Sequence, residues 1–278
     1  MMTGSGWSFE TASKRSRDDF FEKSPFFYEG FPQKNLPIEK KIDTLYETFP
    51  LGLSETAFIG ALNAQNEYPI RFFSPVMEIP LCGHATLASS KVLFERNGQN
   101  ALSFVNIQNL RLPIAREEDF IKMGFPIYDT TPQNVPMELL QALGIEEVNH
   151  SVYNAETNIL LLEIQSAALL KNLSPDFDKL KKSHQEINGV LVTALSSQTD
   201  IDFESRYFWP WSGTNEDPVT GGTHTFLAKY WGQKLNKTRM NSFQCSERTG
   251  FMEVELLDEK HMTIKSKAQI VLKGELTI

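Results

Sequence analysis

The segment Arg71-Phe72-Phe73-Ser74-Pro75, followed by Glu78-Ile79-Pro80-Leu81-Cys82-Gly83, returns late in the chain. There it reads Arg206-Tyr207-Phe208-Trp209-Pro210, followed by Glu216-Asp217-Pro218-Val219-Thr220-Gly221. Each copy has the pattern of a strand, a proline-bounded loop, a glycine turn and a helix start. Such a duplication predicts two similar halves facing each other across a cleft. The chemistry is expected where the copies differ. His84 follows the glycine in the first, and Asp217 replaces Ile79 in the second.

The helices that follow the two turns have unusual compositions. The stretch 83–94 holds Ala85, Thr86, Ala88, Ser89 and Ser90, with Lys91 its only charge. The stretch 223–231 is similar, with Lys229 as its one charge. Small side chains and little charge around the whole circumference predict helices buried on all sides. Short strands are predicted at 55–59, 70–73, 101–106, 109–115, 120–124, 158–164 and 189–195, and through the tail from 252. Helices are predicted at 166–173 and 174–182, the second with Ser174 as N-cap and Pro175 in its first turn. Ile38, Ile42, Leu45 and Phe49 fall at helical spacing, whereas residues 1 to about 30 show no period and read as irregular. Many short strands and few helices favour an α+β fold, with sheets that curl around a central helix.

Composition narrows the partners. A net charge of −8 argues against a nucleic-acid phosphate surface and leaves small anions to local dipoles and single basic groups. Two cysteines are too few for a disulfide framework, so a reducing, cytoplasmic setting is expected. No apolar run approaches the roughly 18 residues of a membrane helix, and the amino terminus lacks the order of a secretory signal.

Three segments carry candidate chemistry, each with a plainer alternative. Gly83 and His84 open a buried helix, where free N–H groups attract a carboxylate or phosphate and a histidine can move a proton. The alternative is a histidine that caps or packs. The segment Asn215 to His224 combines acids, a proline and glycines at a second helix start. It lacks the lysine and spacing of a P-loop. Asp217 there either accepts hydrogen bonds from substrate or belongs to a capped turn. Glu55 stands where an apolar strand begins, and a carboxyl so flanked tends toward a raised pKa suited to proton transfer at carbon. A strand-end salt bridge is the alternative. The five histidines show no two-histidine helical spacing and the two cysteines lie far apart, so no metal site is read from spacing. Cys82 at a helix start has the setting of a nucleophile, but its counterpart in the repeat is Thr220, leaving no second thiol.

Several motifs together resemble a known family. They are Leu53-Ser54-Glu55-Thr56-Ala57-Phe58-Ile59, Pro80-Leu81-Cys82-Gly83-His84-Ala85-Thr86-Leu87-Ala88, Asn215-Glu216-Asp217-Pro218-Val219-Thr220-Gly221, Tyr230-Trp231 and Phe243-Gln244-Cys245-Ser246. The chain is similar in these to the PhzF-like, phenazine biosynthesis-like family of the diaminopimelate epimerase-like superfamily, including its animal members. The resemblance implies two pseudo-symmetric domains, each a mixed sheet wrapped around a helix, with the active site between them. On that pattern residues 1–118, completed by the C-terminal strand 268–278, form the first half and 119–267 the second. It implies a homodimer, no metal and no organic cofactor. It implies an isomerase or epimerase acting on a small carboxylate, as its best-understood members isomerise trans-2,3-dihydro-3-hydroxyanthranilate. Glu55 would be the acid/base. His84 and Asp217 would bind and orient substrate, with Gly83, Gly221 and Gly222 at the two helix starts.

Two departures bear on activity. The family pattern has a substrate-holding serine where this chain has Gly222, with Thr223 and Thr225 as candidate replacements. The family's opening strand and loop motif is not found in residues 1–36, which predicts a missing strand in the first half. Both departures fit a second reading, a binding or regulatory protein with little catalysis.

Overall fold

The structure is a computed structural model. It describes residues 7–13, 26–29, 55–74 and 78–276, the first two segments and 272–276 by backbone alone. The helix expected around Ile38 to Phe49 lies outside the described residues. The described chain divides into two compact units. One runs to Ile121 and takes in the chain again from Lys267, and the other spans Lys122 to Ser266.

The first unit is built on the strands β1 (Trp7–Ser13), β2 (Phe26–Glu29), β3 (Thr56–Ile59), β4 (Tyr68–Phe73), β5 (Glu78–Ile79), β6 (Ala101–Val105) and β7 (Arg111–Glu117). A helix, α1 (Gly83–Asn97), lies against β1, β2 and β3. β2 and β3 are parallel, β3 and β4 antiparallel, and β4 pairs with β5 antiparallel and with β6 parallel. β1 pairs with β2 antiparallel. The expectation of an irregular amino terminus lacking a strand is therefore corrected. The alternation there covers only Trp7 and Phe9 before charged residues follow, too short a run for periodicity to register.

The second unit repeats this plan. β8 (Phe120–Pro126) leads into it, followed by β9 (Thr131–Pro132), β10 (His150–Asn154), β11 (Ile159–Glu163), β12 (Gly189–Leu195), β13 (Phe203–Phe208), β14 (Glu216–Asp217), β15 (Arg239–Gln244), β16 (Gly250–Leu256) and β17 (His261–Ser266). β11 and β12 are parallel, β12 and β13 antiparallel, and β13 pairs with β14 antiparallel and with β15 parallel. The last strand, β18 (Gln269–Leu276), returns to β1 in the first unit. Three short helices, α2 (Met137–Leu143), α3 (Ala167–Asn172) and α4 (Phe177–Ser183), and one longer one, α5 (His224–Leu235), complete the second unit.

Period-two alternation explains how α5 is seated. Leu160, Leu162, Val190, Val192 and Phe208 join Leu139, Leu143, Leu170 and Leu180 of the short helices in one apolar cluster. The opposite face presents Phe203, whose ring stacks on Trp231 of α5 at 5.7 Å, and Thr193, whose hydroxyl accepts the Trp231 indole N–H at 3.0 Å. β11 is buried at all five positions because both faces are covered. The two expected buried helices are present. In α1 every residue from Ala85 to Ser90 is buried. Its hydroxyls are accommodated by back-bonding: Thr86 donates to the Cys82 carbonyl and Ser90 to that of Thr86, each at 2.7 Å. The expected start of α4 moves: Asp176, not Ser174, caps it by accepting the Lys179 N–H at 3.1 Å. Among the described residues no helix is long and apolar enough to cross a membrane.

Candidate active site

In the first unit, Glu55 immediately precedes β3 and is 2% exposed. The register of β3 on β4 fixes its position, and the turn after β5 brings Cys82 and Gly83 to the start of α1. Glu55 Oε2 lies 2.7 Å from His84 Nε2, across 29 residues of sequence. Cys82 is the N-cap, in extended conformation, and makes no side-chain capping bond. Its Sγ stands 3.6 Å from His84 Nε2 and 3.8 Å from Nδ1. Burial disfavours the imidazolium, but the negative charges of Cys82 and Glu55 outweigh it and raise the His84 pKa well above its ordinary value. Glu55, Cys82 and His84 offer three ligand-type atoms within 4.8 Å of one another.

The second unit builds its site differently. Asp217 sits opposite Tyr207 in the β13–β14 pair and is 3% exposed. Its Oδ2 accepts the Thr220 hydroxyl at 2.6 Å. Gln244, at the end of β15, grips the same turn from both sides. Its Nε2 donates to the Asp217 carbonyl at 2.5 Å, and its Oε1 accepts the Thr220 N–H at 2.6 Å. His224 is fully buried, with Nδ1 3.0 Å from the Thr220 carbonyl and Nε2 2.8 Å from the Ser242 hydroxyl. A carbonyl only accepts, so Nδ1 carries the proton and Nε2 can receive that of Ser242.

Gly221 and Gly222 lie in a tight turn ahead of α5, where the His224 N–H bonds to the Gly221 carbonyl at 3.1 Å and that of Thr225 to Gly222 at 3.2 Å. These i→i+3 bonds displace the regular helix to His224, whereas α1 starts directly at Gly83. Thr223 and Thr225 do not offer free hydroxyl protons in place of a serine at 222. Thr223 donates to the Thr220 carbonyl at 2.9 Å and Thr225 to that of Gly222 at 2.7 Å. A Cβ added at Gly222 would meet nothing within 4 Å.

The structure thus joins Glu55, Gly83 and His84 in the first unit, and places Asp217, Gly221 and Gly222 around one turn in the second. Sequence reasoning assigned no role to Gln244, Ser242 or the Cys82–His84–Glu55 contact. Gln244, Glu55, Cys82 and His84 stand in the quoted motifs, but no local pattern shows what they reach, because Gln244 reaches Asp217 across 27 residues and Glu55 reaches His84 across 29.

Residues 49–275 match the model of the phenazine biosynthesis-like protein family (PhzC-PhzF). A mouse phenazine biosynthesis-like domain-containing protein is 39% identical over 247 residues, covering 82% of this chain and 85% of its own. A Pseudomonas aeruginosa protein named an uncharacterized isomerase is 37% identical over 265 residues, covering 93% and 96%. Among solved structures, a PhzF-family phenazine biosynthesis protein of Enterococcus faecalis superposes with a TM-score of 0.84 at 30% identity, over 99% of this chain and 100% of its own.

Proposed function

Since this chain belongs to the phenazine biosynthesis-like family, with its diaminopimelate epimerase-like α+β fold, we propose that it is an isomerase moving a proton at carbon in a small carboxylate. Relatives named isomerases support the reaction type. The observation that carries the reading is the buried 2.7 Å contact between Glu55 Oε2 and His84 Nε2 beside a helix start.

Removing a proton from carbon needs a base that is shielded from water and held in one geometry. Glu55 meets both requirements, because its side chain is 1% exposed and tethered to His84. Glu55 takes the proton from one position and returns it to another, so atoms and electrons balance with no redox partner. The His84 cation steadies the carboxylate and is positioned to donate to substrate. The α1 start adds the N–H of Gly83 and a positive dipole end, which suit a substrate carboxylate. Asp217, Gly221 and Gly222 take the role of holding the substrate's polar groups, and Gln244 keeps the Asp217–Thr220 turn in shape.

Gly222 favours a second reading. The hydroxyl that the family pattern places there is missing, and the neighbouring threonine hydroxyls are engaged by backbone. A ligand-binding protein with little catalysis fits that loss. Deuterium incorporation from D₂O into a panel of small carboxylic acids, read by mass spectrometry, separates the two. The isomerase reading expects exchange by the native chain and a loss of about 10²–10⁴-fold in Glu55→Gln. Ligand-induced thermal stabilisation with no exchange across the panel, in a folded protein, establishes the binding reading instead.

A further inference from the structure

The strand that leads into each turn differs between the copies at two positions. Arg71-Phe72-Phe73-Ser74-Pro75 becomes Arg206-Tyr207-Phe208-Trp209-Pro210, so the second copy has a phenol where the first has a phenyl ring. Period two puts Tyr207 on the face of β13 that Phe203 presents to α5. Asp217 is its cross-strand neighbour, and Trp209 stacks on its ring with centroids 6.0 Å apart. Tyr207 is 4% exposed, so neighbours on several sides hold its ring in place.

Gly189 shows where the phenol goes. A Cβ there would lie 2.5 Å from Tyr207 Oη and 2.6 Å from Cε2, so the phenol fills the room that a side chain at 189 would need. Gly189 precedes Val190, which pairs with Phe208, as Glu55 precedes Thr56, which pairs with Phe73. The Tyr207 hydroxyl thus stands where, in the first copy, the Glu55 side chain leaves the backbone. Glu55 meets His84, the residue after the turn glycine, at 2.7 Å. After the turn glycine of the second copy comes Gly222, partly exposed, where an added Cβ would meet nothing within 4 Å. One copy closes its helix start with an acid and an imidazole. The other keeps a polar group in the acid's place and leaves the imidazole's place open.

We propose that Tyr207 is a substrate-binding residue, whose hydroxyl donates to an oxygen of a ligand seated in the open space at Gly222. The ligand oxygen takes, in the second unit, the place that the His84 imidazole takes in the first. A phenol donates one hydrogen bond and a carboxylate accepts, so Tyr207 and Asp217 read complementary groups of the ligand. The end they form selects acids that carry a hydroxyl or carbonyl oxygen besides the carboxylate. This inference rests on the reading of Asp217, Gly221 and Gly222 as the ligand-holding end, and it holds for an isomerase and for a binding protein alike.

Calorimetric binding of matched acids tests it, with 3-hydroxybenzoate set against benzoate and lactate against propionate. The native chain should bind the hydroxy member of at least one pair about 10-fold more tightly, the worth of one hydrogen bond. Tyr207→Phe should bind both members alike, at the affinity of the plain acid. Tyr153→Phe should keep the preference, since that hydroxyl bonds Asn158 in a separate hairpin. Gly222→Leu, which fills the open space, should weaken both members by more than about 10-fold. Circular dichroism establishes that each variant is folded. The proposal fails if the native chain prefers no hydroxy acid, if the preference survives in Tyr207→Phe, or if folded Gly222→Leu binds as the native chain does. Any of these results beside Glu55-dependent deuterium exchange removes Tyr207 and leaves the isomerase reading standing. A preference lost in Tyr207→Phe, in a chain that exchanges no deuterium, keeps Tyr207 and removes the isomerase.

Discussion

The two copies of the repeat share one frame and differ in where the acid sits. In both, an arginine on the central strand makes a two-pronged bond to the glutamate of the short strand beside it. Arg71 reaches Glu78 at 2.6 and 2.5 Å, and Arg206 reaches Glu216 at 2.7 Å twice. Both guanidinium groups also lie over a phenylalanine two residues on, Phe73 at 5.1 Å and Phe208 at 4.9 Å. Register then aligns the remaining positions. Thr56 pairs with Phe73 as Val190 pairs with Phe208, so Gly189 stands where the first copy has Glu55. Ile79 pairs with Phe72 as Asp217 pairs with Tyr207. Each copy thus brings one carboxylate to its helix start, but from opposite neighbours of the central strand. Exchanging them is sterically barred on one side, since a Cβ at Gly189 would lie 2.5 Å from the Tyr207 hydroxyl. A duplicated frame thus carries two dissimilar ends, one an acid paired with an imidazole and one an acid in a turn braced by Gln244.

The largest test of this comparison concerns the shared arginine bridge. Arg206 and Glu216 have side chains 11% and 17% exposed, and Arg206 also donates to the Leu173 carbonyl at 2.7 Å. Glu216→Gln strands a largely buried charge and should cost about 3 kcal/mol in urea denaturation. Glu78→Gln acts on a pair in which both side chains are 23% exposed, and should cost about 1 kcal/mol. Equal losses would mean that the second frame is no more tightly set than the first.

The next test is pH. The raised His84 pKa means that folding favours its proton, so the stabilisation is complete below the unfolded value of about 6.5. It is lost as pH rises through the higher folded value. The thermal stability of the native chain relative to His84→Gln should therefore be greatest near or below neutrality and shrink on alkalinisation. A difference that grows with pH would place a neutral His84 beside Glu55 and undo the ion-pair description. In the second copy His224 faces the Thr220 carbonyl through Nδ1 and the Ser242 hydroxyl through Nε2.

The smallest structural effect is expected at Gly222. The open space around it lets Gly222→Ser fold with a stability change within about 0.5 kcal/mol, by the same denaturation assay. Its effect on ligand binding is the informative readout. A gain in affinity for small carboxylates would show that the second end holds substrate through this turn. An unchanged affinity would place the missing hydroxyl outside the site.

The frame was legible because its signals are local. Arginine, aromatic and glycine positions recur at matching spacing, and small residues on every side of 83–94 announce a buried helix. Individual ends were less so. The start of α4 shifted by two residues because an aspartate two positions on made the better cap. The strand at Trp7–Ser13 was missed because two alternating positions do not make a period. Within the candidate site, Glu55, His84 and Asp217 were visible as residue types in apolar or glycine-rich settings, but their partners were not.

Composition and spacing by themselves determined the α+β class and the duplication, because helix and strand patterns are written within a turn or a few residues of each position, and the quoted motifs carried the resemblance to the family. Only tertiary structure decided that Glu55 meets His84 and Cys82, that Gln244 braces Asp217, and that Gly189 has no room for a side chain. Those contacts depend on which strand pairs with which and in what register. Such pairing is set by the burial of whole faces across distant segments, and no local stretch of the chain encodes it.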